Sequence, residues 1–417
     1  MEVYKFGGAS IRHAAAIRNM ASIIKKYSTA PLVVVVSAMG KTTRYLEAYV
    51  TAKVNNQPVH TLLEEIKAYH LSIIDELFSE KDAVYDSVNR LFVQLESTPW
   101  QHDDYGRFYD RVVSVGEMLS SVIVTAFLKN QGSRSIKIDA TDLIKCSGRF
   151  QAGKVEWLST QYLIQSTVES ISAAQIIVTQ GFIGINQDGE VITLGKEGSD
   201  FTAAIFAACL NAEKLTIWKD VPGILSADPK LIKEATQIMH LPYSEASEMT
   251  YYGACVIHPK TIKPLANKNI PLYVRSFDEP DHLPTEILGT TNGDVEPTII
   301  LKKNQCLFTF RVRDYTFVDE RSLALIFSKL NELDISINMM QSSAITISVC
   351  FDYKQTSIDA LLNQLQDHFT LHYMKGLILI TLKNYNPSYL EKYKPQNEII
   401  LEQRSRRNCR FLVREDH

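Results

Sequence analysis

The sequence lacks the Cys-x-x-Cys pairs that structural zinc sites and many redox centres use. Its six cysteines are scattered along 417 residues, which suits a reducing compartment better than a disulfide framework. No basic segment followed by an apolar one opens the chain, and the apolar run PLVVVVSAM is too short to span a bilayer. We therefore expect a cytoplasmic protein that does not contact a membrane.

An excess of charge is also absent. The formal net charge is -3, so the chain has no global basic field and nucleic acid is not an expected partner. Apolar residues make up 45% of the sequence, which is enough to build two or three globular domains with real cores. The expected ligand is a small molecule.

Short runs rich in valine and isoleucine alternate with helical patterns in the first half of the chain. These runs are VYKF before Gly7, LVVVVS at 32–37, IIVTQ at 176–180, VITL at 191–194 and LTIW at 215–218. They predict an α/β fold, with a mostly parallel sheet sandwiched by helices. Between about residues 43 and 128 the pattern is helical alone, which predicts a helical excursion from the sheet.

A second unit follows a segment rich in proline and turn residues. Its strands and helices have the order βαββαβ, which predicts a ferredoxin-like fold. The last residues predict a β-hairpin that either extends this sheet or belongs to an abbreviated second copy. We expect domains at 1–290, 303–383 and 384–417. The arginines at 404, 406, 407 and 410 are interpreted as a solvated strand face rather than an anion site.

Two glycine-containing segments follow predicted strands. In YKFGGAS, Lys5 ends a strand, Gly7 and Gly8 let the backbone approach a ligand, and Ser10 is placed to cap the next helix. A helix start beside a lysine is suited to bind a phosphate. The alternative interpretation is that the two glycines form a purely structural turn. The YKFGGAS segment does not have the residue spacing of a P-loop. The second segment, VVSAMGKTT, is either a donor-rich turn that binds a ligand or an ordinary loop.

Isolated polar residues mark further candidate positions. Glu117 is expected at the start of an apolar helix, where it binds a substrate ammonium or favours the helix dipole. In TLGKEGSDFTAA, Asp200 is either a ligand-site residue or a plain helix cap. His258 is interpreted as a packing or capping histidine, and Cys255 as structural.

Five segments, taken in order, resemble the aspartate kinase family of the amino-acid-kinase superfamily. They are KFGGAS, VVSAMGKTT, TLGKEGSD, WKDVPG and YGACVIHP. The resemblance covers nearly the whole of the first 300 residues, and the βαββαβ tail is similar to the family's regulatory ACT region. It implies phosphoryl transfer from MgATP to the side-chain carboxylate of L-aspartate, giving 4-phospho-L-aspartate. That reaction is the first step towards lysine, threonine, methionine and diaminopimelate.

The resemblance also implies roles for individual residues, with ATP and Mg²⁺ as cofactors and no metal-ligating residue assigned. Lys5 and Asp200 are the expected catalytic residues. The expected ATP-binding residues are Lys5, Gly7, Gly8, Lys219, Asp220, Leu225, Lys230 and Cys255. The expected substrate-binding residues are Ser37, Thr43, Glu117, Phe182, Thr193, Lys196 and Ser199. Ser336, Ile337 and Asn338 are expected to bind a lysine or threonine effector, and a homodimer is expected.

Several positions depart from the family pattern. Lysine replaces arginine at 196 and 230, glutamate replaces glycine at 197, lysine replaces threonine at 219, leucine replaces tyrosine at 225, and cysteine replaces lysine at 255. We hypothesise that Lys219 supplies the charge missing at Cys255. Glu197 is expected to point away from the anion and to pair with Lys196 or Lys219. Asn338 stands where lysine-sensitive relatives carry an acid.

Two alternative functions remain open. One is a superfamily kinase for glutamate, acetylglutamate, carbamate or a nucleoside monophosphate, although KFGG, SDFTAA and the ACT-like tail argue against it. The other is a catalytically weak, ACT-bearing amino-acid sensor, which the substituted loop residues suggest. Because Lys5 and Asp200 are both present, the sequence favours an enzyme.

Overall fold

The computed structural model describes residues 1–29, 31–80, 82–100, 104–171, 176–254, 257–289, 295–313 and 317–415. The chain forms two compact units. The first comprises Met1–Ile224, Gln237–Ser247 and Cys255–Asn292, and the second comprises Leu225–Thr236, Glu248–Ala254 and Gly293–His417. The domain boundaries expected from the sequence stay predictions.

The region before residue 290 contains twelve named strands and ten named helices among the described residues. The strands are β1 (Glu2–Phe6), β2 (Leu32–Val36), β3 (Ser135–Lys137), β4 (Cys146–Ser147), β5 (Lys154–Val155), β6 (Ile176–Gln180), β7 (Ile183–Ile185), β8 (Val191–Thr193), β9 (Lys214–Lys219), β10 (His240–Pro242), β11 (Leu272–Ser276) and β12 (Thr285–Leu288). The helices are α1 (Ala14–Tyr27), α2 (Thr42–Val54), α3 (His60–Leu77), α4 (Asp82–Ser97), α5 (Tyr105–Asn130), α6 (Ala140–Leu143), α7 (Trp157–Glu169), α8 (Gly198–Cys209), α9 (Tyr243–Tyr251) and α10 (Pro259–Lys268).

An eight-stranded sheet forms the centre of the first unit, in the order β10-β12-β11-β9-β1-β2-β6-β3. The run from β11 to β3 is parallel throughout, and β12 is antiparallel to β11. Every residue of β1 and β2 is buried, as expected for strands covered on both faces. The predicted α/β fold with a mostly parallel sheet is confirmed.

One predicted strand lies outside this sheet. VITL was expected among the parallel strands, but β8 pairs antiparallel with β7 in a separate two-stranded sheet. The segment between β6 and β8 is too short for the crossover that a parallel connection needs, so the chain turns back as a hairpin. Sequence composition alone did not distinguish these two arrangements.

The helical excursion is confirmed as α2 to α5. Helix α5 is long and apolar enough to cross a membrane, but 78% of its most apolar window is buried inside the protein, as in a core helix. Glu117 lies in the middle of α5 rather than at a helix start. The expected interaction of Glu117 with a helix N-terminus is therefore wrong.

Ser10 does not cap the first helix. A 3-10 turn spans Gly8–Ile11, and α1 begins only at Ala14 with His13 as its cap, accepting a hydrogen bond from the Ala16 N–H. The Ser10 hydroxyl instead donates to the carbonyl oxygen of Trp218 at 3.4 Å. Because Trp218 lies on β9, Ser10 joins the loop after β1 to the neighbouring strand.

The second unit is built on a six-stranded sheet in the order β14-β15-β13-β16-β18-β17. Its elements are β13 (Thr298–Val312), α11 (Glu320–Glu332), β14 (Ile337–Ser342), β15 (Thr346–Asp352), α12 (Gln355–Leu365), β16 (Phe369–Lys383), α13 (Pro387–Tyr393), β17 (Ile399–Arg404) and β18 (Asn408–Arg414). The predicted βαββαβ order is confirmed. Strand β18 pairs antiparallel with β16, so the terminal hairpin extends this sheet.

The arginines of the hairpin do not share one environment. Arg404, Arg406 and Arg407 are exposed, as expected, but Arg410 is 8% exposed. Its guanidinium donates to the carbonyl oxygen of Asn338 at 2.6 Å and lies over the ring of Tyr252. The contacts with Tyr252 and Asn338 remove the Arg410 side chain from solvent, so the expected solvation of Arg410 is wrong.

Candidate active site

A cleft of about 430 Å³ lies at one edge of the eight-stranded sheet. Strands β1, β2, β6 and β9 are parallel and end at this edge. The loops that follow them meet the first turn of α8, so that residues far apart in sequence line one space. The carboxyl edge of an open parallel sheet is where such folds bind ligands.

Close loop packing at this edge requires glycine at two positions. A Cβ on Gly8 would lie 2.6 Å from the carbonyl oxygen of Ala38, and a Cβ on Gly181 would lie 2.5 Å from the Ser199 Cβ. The N–H of Gly40 also donates to the Gly8 carbonyl oxygen at 3.0 Å. Gly8 is therefore needed for packing between loops, in addition to any backbone approach to a ligand.

A buried ion cluster lies on one side of the cleft. Lys5 Nζ is 2.7 Å from Asp200 Oδ1, and Lys219 Nζ is 3.5 Å from Asp200 Oδ2. Burial alone would raise the pKa of Asp200, but the two ammonium groups outweigh it and hold the pKa below its ordinary value. Asp200 is thus a carboxylate that positions two lysines, and the cluster carries one net positive charge.

Asp200 does not cap α8. The helix begins at Gly198 with Glu197 at its cap position, and Asp200 lies within the first turn. Helix N-terminal N–H groups favour negative charge nearby. The start of α8 therefore adds to the positive potential of the two ammonium groups on this side of the cleft.

Glu117, unlike Asp200, has no ammonium group paired with its carboxylate within the ranges that the structure describes. It reaches the cleft from α5 and is 3% exposed. Burial raises the pKa of Glu117 to about 8, although a hydrogen bond from the Ala38 N–H and the charge of Lys5 act against this rise. Its Oε2 atom has no hydrogen-bond partner among the described residues. A buried carboxylate oxygen of this kind suits a ligand that brings a cation.

Most of the residues expected at the site line this cleft. They are Lys5, Gly7, Gly8, Ser37, Thr43, Glu117, Phe182, Ser199, Asp200, Lys219 and Asp220. Thr193 and the exposed Lys196 are not among its lining residues. Leu225 and Lys230 belong to the second unit, so their nucleotide-binding roles stay predictions. Cys255 lies outside the described residues.

Asp110 is a residue that the sequence reasoning missed. Its carboxylate is buried and accepts hydrogen bonds from Thr193 N, Thr193 Oγ1 and Gln151 N, at 2.7–2.9 Å. The Thr193 hydroxyl is thus bound to Asp110. Asp110 precedes Glu117 by two helical turns, and this spacing, which puts both on one face of α5, was the available signal.

The expected ion pair of Glu197 is not formed. Glu197 lines the cleft with a positive φ of 55°, and its Oε2 atom has no hydrogen-bond partner within the described part of the chain. Lys219 pairs with Asp200 instead. The prediction that Glu197 pairs with Lys196 or Lys219 is wrong: neither lysine forms an ion pair with Glu197, and the Lys219 ammonium lies beside the Asp200 carboxylate.

His258 caps a helix, which is one of the two structural roles expected from the sequence. It is the N-cap of α10, and its side chain accepts a hydrogen bond from the Lys260 N–H. Capping of this kind satisfies one of the unpaired N–H groups at the helix start. His258 therefore has a structural role in α10.

The expected effector residues lie in the second unit. Ser336 is exposed, whereas Asn338 is 8% exposed and already bonded. Its Oδ1 atom accepts from Lys302 Nζ at 2.8 Å, and its Nδ2 atom donates to Gln305 Oε1 and Asp352 Oδ1. An effector that used the Asn338 amide would have to replace these hydrogen bonds.

The cleft offers few protein ligands for a metal ion. Among the described residues, no group of three or more histidine, cysteine, aspartate or glutamate side chains is arranged to hold a metal. Mg²⁺ usually keeps several waters and binds substrate phosphates with one or two carboxylates. Asp220, which is exposed at the cleft, is a carboxylate that fits this limited role, whereas both oxygens of Asp200 are engaged by lysines.

Comparison with known proteins agrees with this fold. The sequence profile of the Amino acid kinase family matches residues 1–276. Aspartokinase 1, chloroplastic, of Arabidopsis thaliana is 28% identical over 397 residues, which cover 91% of this chain and 70% of that protein. The lysine-sensitive aspartokinase 3 of Escherichia coli is 27% identical, with coverage of 84% and 78%. The chain spans 66% and 64% of two further Arabidopsis aspartokinases.

Solved structures of aspartokinases have a similar fold. E. coli aspartokinase III in complex with aspartate and ADP matches with a TM-score of 0.83 at 24% identity, covering 99% of this chain and 96% of that one. The lysine and aspartate complex of that enzyme has a TM-score of 0.79 at 25% identity, with the same coverage. By its fold and cleft the protein is of the amino-acid-kinase class. The chain belongs to the amino acid kinase family.

Glu117 gives a prediction on the pH dependence of stability. Its pKa of about 8 means that the folded protein holds a proton that the unfolded chain releases above about pH 4.3. Between these values the free energy of unfolding should fall as pH rises, by at most about 1.4 kcal/mol per pH unit. Glu117→Gln cannot lose this proton, so it should become more stable than the wild type as pH approaches 8.

Urea unfolding at several pH values between about 5 and 9 measures this difference. The gap between Glu117→Gln and the wild type should widen up to pH 8 and then level off. Glu64→Gln, at an exposed position on α3, is the control and should follow the wild-type profile. Parallel profiles for Glu117→Gln and the wild type would contradict the prediction.

Proposed function

We propose that the protein is an aspartate kinase, which transfers the γ-phosphoryl group of MgATP to the side-chain carboxylate of L-aspartate. One observation carries the proposal: a single cleft holds an Asp200 carboxylate bound to two lysines and, separately, a buried Glu117 carboxylate with an unpartnered oxygen. The first group suits phosphate and carboxylate charge, and the second suits an ammonium. An amino acid that accepts phosphate needs both.

Phosphoryl transfer to aspartate requires no covalent bond to the protein. A carboxylate oxygen of aspartate attacks the γ-phosphorus, the bond to the bridging oxygen breaks, and ADP leaves with the electron pair. Because the attacking carboxylate is already ionised, no general base is required. Catalysis then depends on positioning and on neutralising charge. Lys5 and Lys219 supply that charge, and Asp200 holds both side chains in place.

Glu117 favours an amino-acid substrate over the other superfamily substrates. A bound ammonium near its carboxylate would stabilise the charged form, which burial otherwise disfavours. Acetylglutamate, carbamate and nucleoside monophosphates bring no such ammonium, so they would leave this buried group without a partner. Glutamate remains as a competitor, and a substrate panel coupled to ADP release separates it from aspartate.

The cofactor assignment follows from the same cleft. MgATP is expected to bind at the side of Lys5, Gly7, Gly8, Lys219 and Asp220, with the metal carried mainly by its phosphates. In E. coli aspartokinase III, ADP and aspartate occupy one complex, which supports this arrangement. A cytoplasmic location is proposed with it.

Formation of aspartyl hydroxamate tests the proposed activity. The full chain, with ATP, magnesium, L-aspartate and hydroxylamine, should give aspartyl hydroxamate, because hydroxylamine traps the acyl phosphate. Asp200→Asn should give at least a hundredfold less, since the buried Lys5 and the half-buried Lys219 lose their shared anion. Absence of product with the wild-type chain would reject the kinase and favour the amino-acid sensor.

Lys219 gives a second prediction on activity. If its ammonium neutralises phosphate charge, Lys219→Ala should lower kcat/KM for ATP by roughly tenfold to a hundredfold. Lys129→Ala is the control, because Lys129 is exposed in the last turn of α5 and is not among the lining residues of the cleft. Unchanged turnover and ATP Michaelis constant for Lys219→Ala would show that this lysine does not replace the missing cation.

We also propose regulation through the second unit, with lysine or threonine as the effector at Ser336, Ile337 and Asn338. The E. coli relative is named lysine-sensitive and was solved with lysine. Because the Asn338 amide is engaged by Lys302, Gln305 and Asp352, we expect weak inhibition. Steady-state assays with each amino acid measure it, and flat curves for both would reject the proposal.

A homodimer is proposed as the assembly. The outer strands of the six-stranded sheet, β14 and β17, each have one side without a strand neighbour in this sheet. Such edges are ready to pair with another chain. Sedimentation of the purified full chain measures the assembly directly.

A further inference from the structure

A groove of about 960 Å³ lies along α7, α8 and α10 in the first unit, and it shares no described lining residue with the cleft. Phe201, Cys209 and Pro264 contribute apolar surface to it. Trp157 is 41% exposed at its wall and meets the Phe201 ring edge to face, with centroids 6.3 Å apart. The groove is within the size range of small-molecule sites.

The charged residues that line this groove have one sign. Its cationic residues are Arg149, Lys154, Lys260, Lys263 and Lys268, and no aspartate or glutamate is among its described lining residues. The three lysines at 154, 263 and 268 form no ion pair with a carboxylate in the described part of the chain. Converging cations over an apolar floor create a positive potential that attracts an anion.

A solvated helix face explains only part of this arrangement. Lys260, Lys263 and Lys268 all lie on α10, and Lys268 in its last turn complements the helix dipole. Arg149 and Lys154, however, come from the segment between β4 and α7, which is remote from α10 in sequence. Two separate segments therefore bring cations to one aromatic groove.

The groove also adjoins the segment that leads into the cleft. The N–H of Gly153 donates to the Thr193 carbonyl oxygen at 2.9 Å, and Lys260 Nζ lies 3.5 Å from the Leu194 carbonyl oxygen. Asp110 joins Gln151 to Thr193. A ligand in the groove would contact residues bonded to the strand that precedes Glu197 and Gly198.

We propose that this groove binds a nucleoside monophosphate, at a site distinct from that of the phosphoryl donor. The planar base stacks on Trp157, because aromatic side chains bind bases through their faces. The phosphate is held by Lys154 and Lys263, since ammonium groups form charge-assisted hydrogen bonds to phosphate oxygens. A bare anion would use only the cations, and an uncharged ring would use only the aromatic wall. A nucleoside monophosphate uses both.

Tryptophan fluorescence of the full chain titrated with AMP tests the proposal. AMP should quench the emission saturably, and Trp157→Phe should remove this quenching. The double variant K154M/K263M should raise the apparent Kd about tenfold, because each exposed charge pair contributes modestly. The control K25M/K129M removes two exposed lysines of α1 and α5 outside the groove and should bind AMP as the wild type does.

Adenosine and inorganic phosphate are titrated in parallel, and each should bind at least tenfold more weakly than AMP. Equal binding of phosphate would mean a general anion site and would overturn the nucleotide assignment, as would equal binding of adenosine. Quenching that persists in Trp157→Phe would place AMP near Trp100 or Trp218 instead. Unchanged affinity in K154M/K263M, or no saturable quenching, would also overturn the proposal.

Discussion

Asp200 is the carboxylate on which the geometry of the cleft depends. It is 3% exposed in the first turn of α8, and it binds Lys5 from the end of β1 and Lys219 from the end of β9. Removing these charges from water costs several kcal/mol, which only close pairing offsets. The cluster therefore fixes the ends of two neighbouring strands against the start of a helix, and it leaves one positive charge for a ligand.

The other half of the cleft depends on a single long helix. Helix α5 presents Glu117 to the cleft and, two turns earlier, presents Asp110 to Thr193. Both carboxyl groups are buried, so the charged form of each needs a partner. Asp110 finds its partners within the protein, whereas one oxygen of Glu117 does not. This difference separates a residue that positions a loop from one that is suited to bind a ligand.

The second unit shows how a polar group can be satisfied internally. Asn338 joins Lys302, Gln305 and Asp352, and Arg410 from the terminal hairpin donates to its backbone oxygen. A fully bonded network in a partly buried setting resists rearrangement. Any effector that acts through Asn338 must therefore compete with contacts that the folded chain already makes.

The sequence by itself determined the parts of the structure that follow from local pattern. Continuous apolar runs predicted the buried parallel strands, and the alternation of elements predicted the βαββαβ unit. The resemblance of five segments to the aspartate kinase family implied most of the cleft lining. Lys5 and Asp200 were identified because they stand in the segments KFGGAS and TLGKEGSD, and Glu117 because it is an isolated acid in an apolar helical pattern.

Tertiary structure alone decided the partners of these residues. Glu117 lies in the middle of a helix, and the Ser10 hydroxyl binds the backbone of Trp218. The segment VITL forms one strand of a hairpin, and Lys219 pairs with Asp200 rather than Glu197. Arg410 is buried. Tertiary structure also brought Arg149 and Lys154 to the lysines of α10. These outcomes depend on which distant segments pack together, and a hydrogen bond or ion pair between such segments leaves no local pattern in the sequence.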